Sequence, residues 1–216
     1  MITTVYLIRH SELTPKANLK IINSKDVPQV ANEKGFLSVS GEKRAEELSK
    51  REELQNIDAV YSSNYVRALG TAKYIALENN TIINVDERLN ERKVGDIGNL
   101  EFLEFERLQK KDFDFKLSGG ESFNQTKKRM VESIKNILMF EAGNRVAVVS
   151  HATALTALLS AWCEQGLNYD DDIILTYDEK TVVDATWSAP MVFKVVFDGT
   201  AVKSVERLNI EELEKK

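Results

Sequence analysis

Two histidines occur in the 216 residues, His10 and His151, and each follows directly on a short apolar run. Val5-Tyr6-Leu7-Ile8 leads into Arg9-His10, and Val146-Ala147-Val148-Val149 leads into Ser150-His151. A lone histidine is ordinarily a surface or hydrogen-bonded core residue. Two in matching positions at strand ends, one of them beside an arginine, point elsewhere. A neutral imidazole is a competent nucleophile near pH 7, and a guanidinium at a strand end is costly to bury without an anion. A third run, Asp58-Ala59-Val60-Tyr61, continues through Ser62-Ser63 into a helical pattern with Arg67 in its first turn. Helix N-termini favour anions, so a cation there makes sense with a phosphate nearby. Two arginines and two histidines with no metal-binding companions therefore suggest phosphoryl transfer, because arginine forks bind phosphate oxygens and offset their charge. Glu91, in Leu89-Asn90-Glu91-Arg92-Lys93, is a candidate to protonate the leaving oxygen. Its position alone does not decide between that role and a structural one.

The elements that must position these groups are legible as short β-branched runs and helical spacings. Strands are expected over 3–8, 58–61, 81–85, 145–149, 191–197 and 201–205. Ser40 reads as the N-cap of a helix carrying Ala45 and Leu48, with Glu42 in its first turn. Tyr65, Leu69, Ala72 and Ala76 fall at helical spacing from residue 64 onward, and Phe123, Val131, Ile134 and Leu138 from residue 121 onward. A further helix is expected after His151. Strands alternating with helices predict an α/β sandwich with a mainly parallel sheet, whose ligands bind outside the carboxyl ends of the strands. No repeat or Pro/Gly-rich linker breaks the chain, so one domain is expected over 1–216, fraying at 211–216. Segments 13–36, 99–118 and 165–190 read as loops or helices of no clear pattern, and specificity is expected to lie there.

Composition narrows the partners. Hydrophobic residues make up 43% and charged residues 29%, ordinary for a globular protein, and the formal net charge is −5. That balance argues against nucleic acid or an anionic membrane surface as a partner; an anionic substrate needs a locally basic pocket. Cys163 is the only cysteine, which leaves no internal disulfide and no CxxC zinc pattern, and a reducing, cytoplasmic setting is expected. Residues 1–10 carry no basic leader, so no signal peptide is expected. The apolar window 146–163 contains a histidine and several hydroxyls and reads as a buried strand and helix rather than a membrane span. Neither a GxxxxGK(S/T) nor a GxSxG motif is present. The acidic run 170–172 reads as a solvated loop rather than a metal site, and Trp162 and Trp187 as core or pocket wall. Oligomeric state is not legible.

At the same residues the chain resembles the histidine phosphatase superfamily, the phosphoglycerate mutase-like group. Leu7-Ile8-Arg9-His10-Ser11-Glu12 is similar to that family's opening RHG motif. Residues 62–72 match its SSxxxRAxxTA element at every fixed position. Leu89-Asn90-Glu91-Arg92, with Gly95 and Gly98 after it, resembles the segment that carries the acid. Gly119-Gly120-Glu121-Ser122 resembles its GGES turn, Ser150-His151 its second histidine motif, and Leu37-Ser38 with Gly41, Ala45 and Leu48 its weaker LTxxGxxQAxxL helix start. The resemblance implies a three-layer α/β/α sandwich, His10 as the residue phosphorylated, and Glu91 as proton donor. It also implies phosphoryl oxygens held by Arg9, Arg67 and His151, a small phosphorylated substrate, and no cofactor or metal. Two glycines of the family pattern are replaced, by Ser11 and Ala152, each adding a side chain close to the pocket. Lys16 stands where the family commonly has an asparagine that touches phosphate; Lys16 or Asn18 is the candidate for that contact, and Ser11 joins them as a candidate substrate ligand.

Three activities fit this pattern. A phosphomonoesterase hydrolyses the phosphohistidine with water. A mutase returns the phosphoryl group to another substrate oxygen, and Leu89-Asn90-Glu91-Arg92 is close to the mutase wording. The stretch 95–117 is shorter than in mutases, however, and holds Arg107 as its only arginine, so the phosphatase is preferred. The third is an idle relative that binds a phosphorylated ligand or a protein partner.

Overall fold

The structure is a computed structural model, and it describes residues 1–15, 32–170 and 172–210. Its centre is a six-stranded sheet in the order β3-β2-β4-β1-β8-β9. The strands are β1 (Ile2–Arg9), β2 (Ala59–Ser62), β3 (Ile83–Val85), β4 (Arg145–Ser150), β8 (Met191–Asp198) and β9 (Ala201–Arg207). The first four run parallel; β8 pairs antiparallel with β1, and β9 with β8. β1 and β4 are buried on both faces, which is why they read as unbroken apolar runs rather than alternating ones.

The alternation of the pleat sorts their side chains into two cores. Tyr6, Ile8, Ala147 and Val149 face Leu48, Ala68, Ala72 and Ile75, on helices α1 (Val39–Ser49) and α2 (Val66–Glu78). Val5, Leu7, Val146 and Val148 face Met130, Ile134, Leu155 and Leu158, on α4 (Phe123–Phe140) and α5 (Ala152–Leu159). Helices therefore cover both faces, and the fold is the expected three-layer α/β/α sandwich.

Local chemistry sets the helix starts. The cap of α1 lies two residues before the expected one: Ser38, not Ser40, accepts from Gly41 N through its side chain, while its own N–H donates to Glu12 O at 3.0 Å. A Cβ at Gly41 would lie 2.0 Å from that carbonyl, so only glycine fits. α4 opens with a capping box between Ser122 and Gln125.

The segment 165–190, expected as loops or helices, instead builds a second, antiparallel sheet. It is formed by β5 (Glu164–Leu167), β6 (Ile173–Tyr177) and β7 (Lys180–Val183). Its signal was hidden for two reasons. β5 is exposed along its whole length and has no alternation. The β6–β7 turn uses Asp178 and Glu179, both at positive φ (50° and 61°), in place of the Asn-Gly or Asp-Gly pair that usually marks such a hairpin. The stretch 99–118 likewise contains a helix, α3 (Phe102–Lys111). The expected fraying at 211–216 lies outside the described residues. Among the described residues no helix is long and apolar enough to cross a membrane.

Candidate active site

Parallel pairing of β1 with β4 places Arg9 opposite Ser150. The next residue of each strand is a histidine, so His10 and His151 emerge side by side, their ring centroids 5.2 Å apart. Both are buried, His10 with 5% exposure and His151 with none.

The hydrogen bonds around His10 assign its tautomer. Arg67 Nε, which can only donate, lies 3.0 Å from His10 Nε2, so Nε2 carries a lone pair. The ring proton is then on Nδ1 and is donated to Ser11 O at 2.7 Å. Burial, then the Arg67 and Arg9 charges, lower the His10 pKa to about 3, against a smaller opposing effect of the Ser11 carbonyl. The imidazole is therefore neutral at physiological pH. Burial and the neighbouring cations likewise push His151 well below the ordinary range. His151 Nε2 meets Ser63 Oγ at 2.7 Å, and Ser63 Oγ also accepts from Tyr65 N at 3.3 Å. With the hydroxyl donating to Nε2, His151 Nδ1 is left as a buried N–H without a partner.

The two arginines supply the positive charge. Arg67, in the first turn of α2 and only 4% exposed, donates from its two terminal nitrogens to the Asn32 backbone carbonyl and, at 2.9 Å, to Asn32 Oδ1. Arg9 donates from Nη1 to Trp187 O at 2.6 Å and Ser188 O at 2.9 Å, while its Nε has no partner. Both guanidiniums thus rest on neutral oxygens, which a phosphate dianion would outbid.

Glu91 occupies the N-terminus of α5. Its Oε1 accepts from Ala154 N at 2.9 Å and from Arg92 N at 2.8 Å, and its Oε2 accepts from Thr153 N at 3.2 Å. The carboxylate takes the place of a cap side chain on the helix that begins after His151, which is how an acid from residue 91 comes to the two histidines. Sequence reading missed the supports of this loop. Arg129, on α4, donates to the carbonyls of Arg88 (2.7 Å) and Asn90 (2.8 Å), in the turn that leads directly into Glu91. It is itself held by Glu121 through bonds of 2.7 and 2.9 Å. Ser150 Oγ adds a bond to Leu89 O at 2.7 Å. The signal was present in the glutamate of the GGES turn, whose partner lies two helical turns further on.

The structure therefore brings His10, His151, Arg67 and Glu91 together, with Arg9 alongside. Ser11 is fully buried; its N–H donates to Thr71 Oγ1 at 2.9 Å and its Oγ has no partner. Lys16 and Asn18 lie outside the described residues. A cavity of about 240 Å³ opens beside Ala152 and Thr153, with Trp187 and Arg92 in its walls. Asp172, expected in a solvated loop, instead pairs with Lys110 at this cavity; Asp171 is outside the described residues. Among the described residues no group of three or more His, Cys, Asp or Glu side chains is arranged to hold a metal ion.

Known proteins resemble this chain in sequence and in fold. The probable phosphoglycerate mutase GpmB of Salmonella choleraesuis is 28% identical over 202 residues, covering 85% of this chain and 89% of that protein. Among solved structures, Bacillus stearothermophilus YhfR is similar with a TM-score of 0.66 at 24% identity, over 93% of this chain and 94% of that one. The phosphoglycerate mutase of Bacillus anthracis has a TM-score of 0.67 at 17% identity, covering 99% and 96%. For a mycobacterial glucosyl-3-phosphoglycerate phosphatase the TM-score is 0.63 at 18% identity, covering 96% and 97%. These structures share the fold. A family model described as histidine phosphatase superfamily (branch 1) matches residues 5–191, from the strand before His10 to the first residue of β8. With both histidines, Arg67 and Glu91 inside that match, the chain belongs to the histidine phosphatase superfamily.

Proposed function

We propose that this protein is a phosphomonoesterase that works through a phosphohistidine on His10. The observation that carries the reading is the pair of bonds on the His10 ring, with Ser11 O on Nδ1 and Arg67 Nε on Nε2. Together they hold a neutral imidazole with its lone pair turned toward a phosphate-binding guanidinium. The Nε2 lone pair attacks phosphorus, the bond to the leaving oxygen breaks, and Glu91, acting as general acid, passes a proton to that oxygen. Water then attacks the phosphohistidine while the Glu91 carboxylate takes a proton from it, releasing inorganic phosphate and restoring both groups. In this reading Arg67, Arg9 and His151 Nδ1 hold the phosphoryl oxygens, and Ser11, whose buried hydroxyl has no other partner, adds a contact. A cytoplasmic setting belongs to the same reading, since Cys163 is the only cysteine and leaves no internal disulfide.

Hydrolysis of p-nitrophenyl phosphate in EDTA tests this, comparing the unmodified protein with His10→Ala. Loss of at least about 10³-fold is expected, because no neighbouring group can replace the nucleophile. A variant that keeps more than a few per cent of the rate would rule out the covalent route.

The names of the sequence relatives favour a second reading, a phosphoglycerate mutase. It shares the first half of the mechanism and differs in handing the phosphoryl group back to a bound hydroxyl. Arg107, the one arginine of the 95–117 stretch available to grip a substrate carboxylate, is mostly exposed and lies near Glu104, at 3.7 Å. Conversion of 3-phosphoglycerate to 2-phosphoglycerate without phosphate release would establish the mutase.

A further inference from the structure

The cavity beside Glu91 has walls that the phosphoryl chemistry does not use. It begins at Ala152 and Thr153, the first residues of α5, whose backbone also carries the Glu91 carboxylate through Thr153 N. His10 is not among its lining residues. Nor is Glu91 itself, but Thr153, whose N–H meets Glu91 Oε2, and Trp187, whose carbonyl accepts from Arg9, both line it, so the cavity adjoins the site on the side of the proton donor.

We propose that this cavity is a leaving-group site for uncharged alcohols of ring size, and that it selects against carboxylates and second phosphates. The inference rests on the reading of His10 as the phosphoryl acceptor and adds the substrate class. Size is the first argument: about 240 Å³ is more than a three-carbon acid fills, since a cavity of about 150 Å³ already accommodates benzene. Wall chemistry is the second. Trp187, Phe123, Ile173 and Val183 supply apolar surface. The two rings are braced in place, Trp187 edge-on to Phe193 at 5.7 Å and Phe123 stacked on Phe113 at 4.8 Å.

Charge is the third argument. The cations of the cavity are already matched: Lys110 pairs with Asp172, and Arg92 lies 3.7 Å from Glu106. Arg92 is further committed to Gln109 Oε1 and to the face of Phe105, 4.8 Å from its centroid. An entering carboxylate would find no unmatched cation and would face Glu106 and Asp172. Arg92 Nε has no partner, but it is itself buried and adds no open cation to the cavity. Trp187 joins the two halves of the site, with its carbonyl on Arg9 and its ring in the cavity wall.

Three phosphates of primary alcohols separate size from charge: benzyl phosphate, glycerol 3-phosphate and 3-phosphoglycerate. Binding is read by calorimetry on His10→Ala, which cannot turn them over, and kcat/KM on the unmodified protein. Benzyl phosphate is expected to bind about tenfold tighter than glycerol 3-phosphate, and 3-phosphoglycerate weakest of the three. Equal or tighter binding of 3-phosphoglycerate would overturn the proposal. The binding order stands whether or not hydrolysis occurs, so absent turnover counts against the phosphatase reading alone. Ile173→Arg, which adds an unmatched cation, should shift the ratio of benzyl phosphate to 3-phosphoglycerate affinity toward the acid by about tenfold. An unchanged ratio in a folded variant would place the leaving group elsewhere.

Discussion

Arg67 Nε donates to His10 Nε2 at 3.0 Å, although the two residues are 57 positions apart. The bond places a permanent charge against the nitrogen that carries the lone pair. It keeps the imidazole unprotonated, and it marks where a phosphate must arrive to meet both groups. In the proposed mechanism, the guanidinium that binds the dianion also suppresses the wrong protonation state of the nucleophile.

Arg67→Lys should separate these effects from bulk charge. Lysine keeps a cation but loses both the fork and the Nε bond, so kcat/KM for p-nitrophenyl phosphate should fall about 10²–10³-fold. In Arg67→Ala the His10 pKa should rise above about 3, because the charge that helps burial to lower it is gone. An NMR titration of the imidazole nitrogens reads this directly; an unmoved His10 pKa would count against the coupling.

Glu91→Gln keeps the shape of the side chain but removes the transferable proton. Esters of alkyl alcohols, whose leaving groups need protonation, should lose about 10²–10⁴-fold in kcat. p-Nitrophenyl phosphate should lose far less. Rates measured across a series of leaving groups should become steeply dependent on leaving-group basicity. Equal losses on every ester would remove Glu91 from the role of acid.

Arg129 touches the carbonyls of Arg88 and Asn90 and so sets where Glu91 stands. Arg129→Leu should lower kcat for alkyl phosphates by about tenfold or more while KM changes little. Its effect should largely vanish in a Glu91→Gln background, where there is no acid left to position. A loss that persists there would mean a general structural role.

Acid stability follows from the buried histidines. His10 titrates near 3 in the folded protein against 6.5 for an unperturbed imidazole. Above about pH 6.5 both states hold it neutral. Between the two values the unfolded chain takes up a proton that the native state refuses, so stability declines as the pH drops through that window. Below about 3 this group adds no further slope. His151 acts in the same direction. His10→Asn should therefore flatten the decline, gaining roughly 2 kcal/mol on the unmodified protein between pH 7 and pH 4.5. Urea unfolding at the two values is the measurement, and parallel decline of the two proteins would contradict the assigned burial.

Much was readable locally. The runs before His10 and His151 announce doubly buried strands because each apolar side chain follows another without a polar break. Arg67 falls in a helix's first turn by simple spacing, and the Ser122 cap is adjacent to the helix it starts. These signals span a few residues, and short-range sterics and hydrogen bonds enforce them. Tertiary structure alone decided the rest. The register that sets Arg9 against Ser150, the seat of Glu91 on the first turn of α5, and the grip of Arg129 on the Glu91 loop each join segments far apart in the chain. The β6–β7 hairpin is local, but no glycine marked its turn. The long-range contacts leave no periodic trace, because their strength comes from burial and from partners that only the folded chain brings within reach.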